Sequence, residues 1–260
     1  MTTYGVIGVG ALGQAVVTGL ALGPVGEAPS VVVGPRSATR STALAAAHPN
    51  VEAARDNQAV LDAADVVLIC LRQQDWPEIA GLSWRADHVV VSAVAGVGED
   101  DLLGAVSPAT AVARAVPMIS VAERRWRTPV CPPVPEAMTL FEHTGGAIAV
   151  HTDDEFDAIF TGLGTVAAFF DYLATIEGFL VDHGVAAADA RSLLAGAFAT
   201  VGAQLGAQGE PDFAAMLREH ATPGGGNEQL ATLMRGSGVN EATRNALDEV
   251  FRRQTGTDEK

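Results

Sequence analysis

Gly8, Gly10 and Gly13 stand in the run Gly8-Val9-Gly10-Ala11-Leu12-Gly13, close to the start of the 260-residue chain. A strand-like stretch, Tyr4–Val9, leads into the run, and a helix-like one, Ala11–Leu22, leads out of it. In that setting each glycine answers a physical need. One makes the tight turn, one lets the backbone approach a pyrophosphate, and one lets the helix pack against the strand. The N–H groups of the helix's first turn then face the phosphates. This chemistry predicts a dinucleotide cradle contacted by Gly8, Gly10, Ala11, Leu12 and Gly13.

The end of the next strand reads Val31-Val32-Val33-Gly34-Pro35-Arg36-Ser37. NAD-binding chains place a carboxylate there for the ribose hydroxyls, and none stands at Val33, Gly34 or Pro35. Arg36 can meet a 2′-phosphate through a charge-assisted fork, with Ser37 beside it, a solvated surface arginine being the other reading. The expected cofactor is therefore NADP. A second glycine-rich run, Thr222-Pro223-Gly224-Gly225-Gly226-Asn227, opens a later helix. Exposed backbone N–H groups at a helix start can bind an anion without a lysine. Thr222, Gly224, Gly225, Gly226 and Asn227 are the expected contacts of a substrate carboxylate. A plain interhelical linker with Asn227 as N-cap is the other reading of that loop.

Charge and composition narrow the field. The formal net charge is -15, which disfavours nucleic acid and anionic membrane surfaces as partners. The sole lysine is Lys260, so mechanisms needing an internal lysine are closed and arginine does the cationic work. Cys70 and Cys131 make no disulfide or metal framework, and His48, His88, His143, His151 and His183 lack ligand spacing; no metal is expected. His220, beside the glycine loop, reads as structural. The N-terminus carries no signal-peptide pattern, and the expectation is a soluble, cytoplasmic protein.

The elements that position these residues divide into two kinds. Tyr4–Val9, Ser30–Gly34, Val66–Leu71, His88–Val94, Val112–Val116 and Ala147–His151 read as near-continuous apolar strands, as in a parallel sheet covered on both faces. Helical patterns such as Ser37–Ala47 alternate with them, while proline-rich Arg124–Pro135 reads as a loop. The expected class is α/β, an N-terminal doubly wound Rossmann sheet with a C-terminal all-helical dimerisation domain. The predicted domains are residues 1–152 and 153–260. In the second, Phe156–His183, Ala187–Gln208, Pro211–Arg218, Asn227–Met234 and Asn240–Gln254 read as helices, and the tail beyond Gln254 as disordered. The stretch Phe160–Val181 is apolar nearly all round, which predicts a buried helix and dimerisation through it.

Over nearly its whole length the sequence resembles the pyrroline-5-carboxylate reductase family. Gly8–Gly13 and Arg36-Ser37 are followed by Asp56-Asn57-Gln58 ahead of Ala64-Asp65-Val66-Val67-Leu68. Val91-Ser92-Ala93-Val94-Ala95-Gly96 resembles the family's strand-end block beside the nicotinamide. Arg114-Ala115-Val116-Pro117 is similar to Arg-Ala-Met-Pro-Asn, and Ala221-Thr222-Pro223-Gly224-Gly225 to Ser-Pro-Gly-Gly-Thr-Thr. The resemblance implies that Asn57, Cys70, Leu71, Arg72 and Ala95 also line the cofactor groove. It implies NADPH-dependent reduction of a cyclic imine carboxylate, pyrroline-5-carboxylate to proline, by homodimers or rings of dimers. Thr222, Asn227 and Glu228 are candidates for protonating the nitrogen, and Asp171 with Tyr172 is a second candidate pair, a paired or interface-facing carboxylate being the other reading of Asp171.

The chain departs from the family pattern where a substrate would sit. Gly226 and Asn227 replace the two threonines, Met118 replaces the asparagine, and Gly162-Leu163-Gly164-Thr165-Val166 replaces Gly-Ser-Gly-Pro-Ala. The alternatives are therefore a reductase of a different imine and a non-catalytic NADP-binding regulator. The related β-hydroxyacid dehydrogenases use a lysine on the interdomain helix, which this sequence lacks.

Overall fold

Two compact units, Met1–Ile159 and Phe160–Lys260, make up the chain, and the computed structural model describes residues 2–23, 28–207 and 212–256. The first unit alternates strand and helix: β1 (Thr3–Ile7), α1 (Ala11–Ala21), β2 (Ser30–Val33), α2 (Ala38–Ala47), β3 (Val51–Ala53), α3 (Asn57–Ala63) and β4 (Val66–Ile69). After a 3₁₀ segment (Gln73–Gly81) come β5 (Val89–Ser92), α4 (Glu99–Ala105), β6 (Ala111–Ala115), β7 (Thr128–Cys131), α5 (Pro135–Glu142), β8 (Ala147–Ala149) and α6 (Asp153–Leu163), which runs on past the unit's end. The sheet order is β3-β2-β1-β4-β5-β6-β7-β8, all parallel except the β6–β7 pairing.

The continuous apolar runs follow from burial on both faces. In β4, Val66 and Leu68 join the core beneath α1 and α5, while Val67 and Ile69 join the core beneath α3 and α4. Successive side chains point to opposite faces, so neither face can be polar. Because β1 is flanked by β2 on one side and β4 on the other, chain direction across the sheet reverses there. The crevice beyond the carboxyl ends of β1 and β4 is the expected ligand position in such sheets.

The structure corrects two features of this unit. Thr128–Cys131, inside the predicted loop Arg124–Pro135, is a fully buried strand. Its proline costs little because Pro129 offers only its carbonyl, which accepts from Val116 N–H at 3.1 Å. The β6 pairing is also limited to Arg114–Cys131 and Ala115–Val130. The short strand Val51–Ala53, two of whose three residues are exposed, carried no apolar signal.

The second unit contains α7 (Thr165–Asp182), α8 (Ala187–Ala207), α9 (Phe213–His220), α10 (Gly226–Gly236) and α11 (Val239–Gln254). The predicted single helix Phe156–His183 is two, broken at Gly164, whose N–H reaches the carbonyls of Phe160 and Thr161. Helices α7 and α8 pack through rings: Phe169 and Phe198 meet edge-on with centroids 5.2 Å apart. Arg191 also ion-pairs with Glu177 at 2.9 Å. The expectation of a buried helix fails for the single chain, since no residue of α7 is buried. Phe170 is 65% exposed and Phe179 61%. By length and composition, Asp153–Asp182 is apolar enough to cross a membrane. Gln208 and Pro211, at the predicted helix ends, and most of the predicted disordered tail, residues 257–260, lie outside the described residues.

Candidate functional site

Each of the three motif glycines has a different reason to be glycine. Gly8 follows β1 with φ +97°, and a Cβ there would stand 2.5 Å from the Cys70 carbonyl oxygen at the end of β4. At Gly13 a Cβ would collide with the Gly8 carbonyl oxygen, so helix and turn can approach only without one. Gly10 is the reverse: nothing lies within 4 Å of a Cβ there. No steric need inside the chain explains it, and the open space lies at the N-terminus of α1. That helix has no side-chain cap and no acidic residue in its first turn. Its first N–H groups therefore remain available to an anion.

Around this cradle stand the other predicted cofactor residues of the first unit. The β2 end is shaped by Gly34, whose carbonyl accepts from buried Ser41 Oγ at 2.7 Å. A Cβ on Gly34 would stand 2.6 Å from Asn57 Oδ1, and that oxygen is buried with no hydrogen-bond partner. A buried acceptor without a donor is costly, and such an atom commonly awaits a ligand or water. Asn57 opens α3 behind its N-cap Asp56, whose carboxylate accepts from Ala59 N–H at 2.7 Å. Burial pushes the Cys70 thiol up to about 12, which keeps it neutral. Leu71 is buried, Arg72 is exposed, and Ala95 is exposed beside Gly96, whose φ is +72°. Ser37 precedes α2 without capping it. The residues present thus fit a dinucleotide: steric glycines at Gly8 and Gly13, open space at Gly10, and an unpartnered amide at Asn57.

Arg36 is not a free surface arginine. Its Nη2 lies 2.8 Å from Asp75 Oδ1 and its Nη1 3.3 Å from Glu78 Oε2. The other Asp75 oxygen meets Arg72 Nε at 2.7 Å. Asp75 is only 13% exposed, and the Arg72 guanidinium, then Arg36, holds its carboxyl below the usual range. Both acids lie on the Gln73–Gly81 segment, and the sequence reading missed them because a surface ion pair leaves no spacing signal.

In the second unit the glycine loop joins α9 to α10. Gly225 N–H donates to Thr222 O at 2.8 Å, closing the turn, and Gly224 has φ +75°. Glu228 Oε2 accepts from Gly224 N–H at 2.8 Å, and Asn227 Nδ2 donates to His220 O at 3.0 Å. His220 Nε2 is in turn 3.1 Å from Gln204 Oε1, a structural tie. Asn227 therefore stands inside α10, and Gly225 holds the N-cap position. A depression lined by Gly224, Gly225, Glu228 and Leu233 lies beside Gly226. Thr222, Gly224, Asn227 and Glu228 are thus brought together where the exposed loop enters α10. Asp171 is elsewhere, on the exposed surface of α7, where its carboxylate makes no hydrogen bond or ion pair among the described residues. Among the described residues no group of three His, Cys, Asp or Glu side chains could hold a metal.

Comparison with known proteins bears on the fold. Residues 3–96 match the family described as NADP oxidoreductase, coenzyme F420-dependent. No curated protein matches the sequence. Among solved structures, the chain is similar to 1-pyrroline-5-carboxylate reductase from Streptococcus pyogenes (18% identity, TM-score 0.80, 98% of each chain covered). The Coxiella burnetii pyrroline-5-carboxylate reductase gives 21% identity and TM-score 0.80, again over 98% of each chain. The Plasmodium falciparum pyrroline carboxylate reductase, solved with NADP bound, gives 12% identity and TM-score 0.79 over 98% of this chain and 97% of that one. The chain therefore has the fold of these reductases along almost its entire length, and its N-terminal part matches an oxidoreductase family.

Proposed function

We propose that this protein is a cytoplasmic NADPH-dependent reductase of a cyclic imine carboxylate, with pyrroline-5-carboxylate to proline as the first reaction to test. The observation that carries the reading is the contrast among the three glycines. Gly8 and Gly13 are required by the chain's own packing, while Gly10 is required by nothing in the chain and stands at an uncapped helix start. In this proposal Gly10, Ala11, Leu12 and Gly13 bind the pyrophosphate through backbone N–H groups, Asn57 Oδ1 finds its missing donor, and Arg36 with Ser37 receives the 2′-phosphate. Leu71, Arg72, Cys70 and Ala95 wall the groove. When bound, the reduced nicotinamide would supply a hydride to the carbon of a C=N bond. With the Gly224 and Gly225 N–H groups taken inside the loop, the N–H groups of Gly226 and Asn227 at the start of α10 would seat the carboxylate. Glu228, held next to Gly224, is the group of that loop best able to carry a proton. No metal is needed.

The apolar surface of α7 and α8 supports a second proposal about assembly. Phe170, Phe179 and Leu193 (62% exposed) form more exposed apolar surface than a solitary helix pair keeps in water. A second copy covering them would make the chain a homodimer or a ring of dimers.

The loop itself favours one variant of this reading, a reductase of a different imine. Of the two residues standing in place of threonines, Gly226 has no polar side chain and Asn227 is tied to the His220 carbonyl, while neighbouring Glu228 is tied to Gly224. The test is oxidation of NADPH by the purified protein, followed by nicotinamide absorbance, with pyrroline-5-carboxylate against a panel of other cyclic imines. Turnover of pyrroline-5-carboxylate supports the first reading and turnover of another imine the variant. Tight NADPH binding with no turnover across the panel would sink both and leave a binding regulator.

A further inference from the structure

The arginine expected to recognise a 2′-phosphate already has two anions. Both terminal nitrogens of Arg36 are engaged, one by Asp75 at 2.8 Å and the other by Glu78 at 3.3 Å. Asp75 spends its second oxygen on Arg72 at 2.7 Å, the other arginine at the groove. Two arginines and two carboxylates make a locally neutral quartet. The Gln73–Gly81 segment that carries both acids is anchored by buried Ile79, which belongs to the core cluster of Val67, Ile69 and Val90 and whose carbonyl accepts from Trp84 Nε1 at 3.0 Å. Asp75, with little exposure, cannot easily swing away.

We propose that Asp75, assisted by Glu78, is a specificity-determining counter-charge that competes with the 2′-phosphate for Arg36 and so sets how strongly this chain prefers NADP over NAD. The inference rests on the reading of Arg36 as the phosphate contact. A 2′-phosphate brings close to two negative charges at neutral pH. To form a fork with Arg36 it must share or displace the carboxylates, and it then stands beside them as a like charge. A dinucleotide lacking that phosphate meets none of this opposition. The acids therefore act on one cofactor and not the other. They act through Arg36, as positioning residues with no contact to the cofactor's reacting atoms.

The experiment is calorimetric binding of NADPH and NADH to the full chain and to Asp75→Asn, Glu78→Gln, the double variant, Asp75→Glu and Arg36→Ala, at two KCl concentrations. Neutralising both acids is expected to tighten NADPH about fivefold or more and to move NADH less than about twofold, with a steeper salt dependence for NADPH. Asp75→Glu, which keeps the charge, is expected to bind NADPH close to the parent value. Weaker or unchanged NADPH binding in the double variant would overturn the proposal; weaker binding would mean that Asp75 organises the arginines for phosphate. Arg36→Ala separates the two ideas. A loss of about tenfold or more for NADPH alone upholds the phosphate reading whatever the acids do. No loss overturns that reading and the proposal with it.

Discussion

Arg114 Nη2 lies 2.6 Å from Asp153 Oδ1, so the end of β6 is tied to the first turn of α6. A second nitrogen, Nη1, reaches Asp157 at 3.3 Å one turn further on, and the guanidinium carbon sits 4.3 Å over the Phe156 ring. Arg114 is largely buried and its Nε has no partner. Three residues at helical spacing thus converge on one cation at the helix's positive end, where acidic side chains are favoured.

Replacing Arg114 by Ala should therefore cost about 2 kcal/mol of stability, the range for losing hydrogen bonds to charged groups, because Asp153 is 63% exposed and keeps its water. Amide exchange should rise first in residues 153–159. A denaturation midpoint equal to the parent's, with unchanged exchange there, would show that α6 docks through Phe156 alone. Burial raises the Asp157 carboxyl, with Arg114 opposing that shift. Loss of the arginine should raise it further.

The glycine triad makes a paired prediction. Gly13→Ala places a methyl against the Gly8 carbonyl and should destabilise the first unit by about 2 kcal/mol or more, as overpacking does. Gly10→Ala meets no atom of the chain and should leave the unfolding midpoint near the parent's. Its dinucleotide affinity should nevertheless fall about tenfold, because the methyl points into space where phosphate would approach. Tight binding by Gly10→Ala would remove the main support for the cradle.

The same contrast shows what was legible in the residues. The strands of the parallel sheet stand out because burial on both faces forces unbroken apolar runs, and the glycines because packing forbids a Cβ at two of them. Strand β7 was hidden by Pro129, since a proline usually marks a loop and only the neighbouring ladder shows that no N–H is needed at that position. Asp75 and Glu78 were hidden for another reason. Their partner Arg36 lies on a different element, some forty residues away in sequence, and contact across elements has no local signature. The apolarity of α7 was plain, but the chain alone does not bury it.

That exposed helix face gives a test of assembly. If a second copy covers it, Phe170→Asp and Phe179→Asp should each shift the mass in solution from dimer to monomer at micromolar concentration. Helix content should stay near the parent's, because both rings are more than half exposed in the single chain. Light scattering coupled to size exclusion reads the outcome. A monomeric parent, or variants that remain dimeric, would rule out this face as the interface.

His88 gives the pH dependence its sign. Its ring is fully buried, 5.7 Å from Trp84 and nearly perpendicular to it. Nδ1 accepts from Arg85 N–H at 3.0 Å, and Nε2 is 3.0 Å from the Leu61 carbonyl, to which it can only donate. That arrangement needs the neutral ring, because a second ring proton would face the Arg85 N–H. Burial accordingly lowers the His88 pKa, the nearby Arg85 charge adding to it and the Leu61 contact opposing it. His143 is lowered in the same way, by burial and then by Arg124. A depressed histidine contributes stability that is whole above its unfolded value of about 6.5 and is lost as pH falls toward the folded value, because the unfolded chain takes up the proton first. Unfolding midpoints should therefore drop between about pH 7 and pH 5. His88→Gln should be less stable than the parent at neutral pH yet show a shallower drop, and the companion His143→Gln should remove a further part. An identical slope in parent and His88→Gln would mean that the ring is not held neutral by this contact pair.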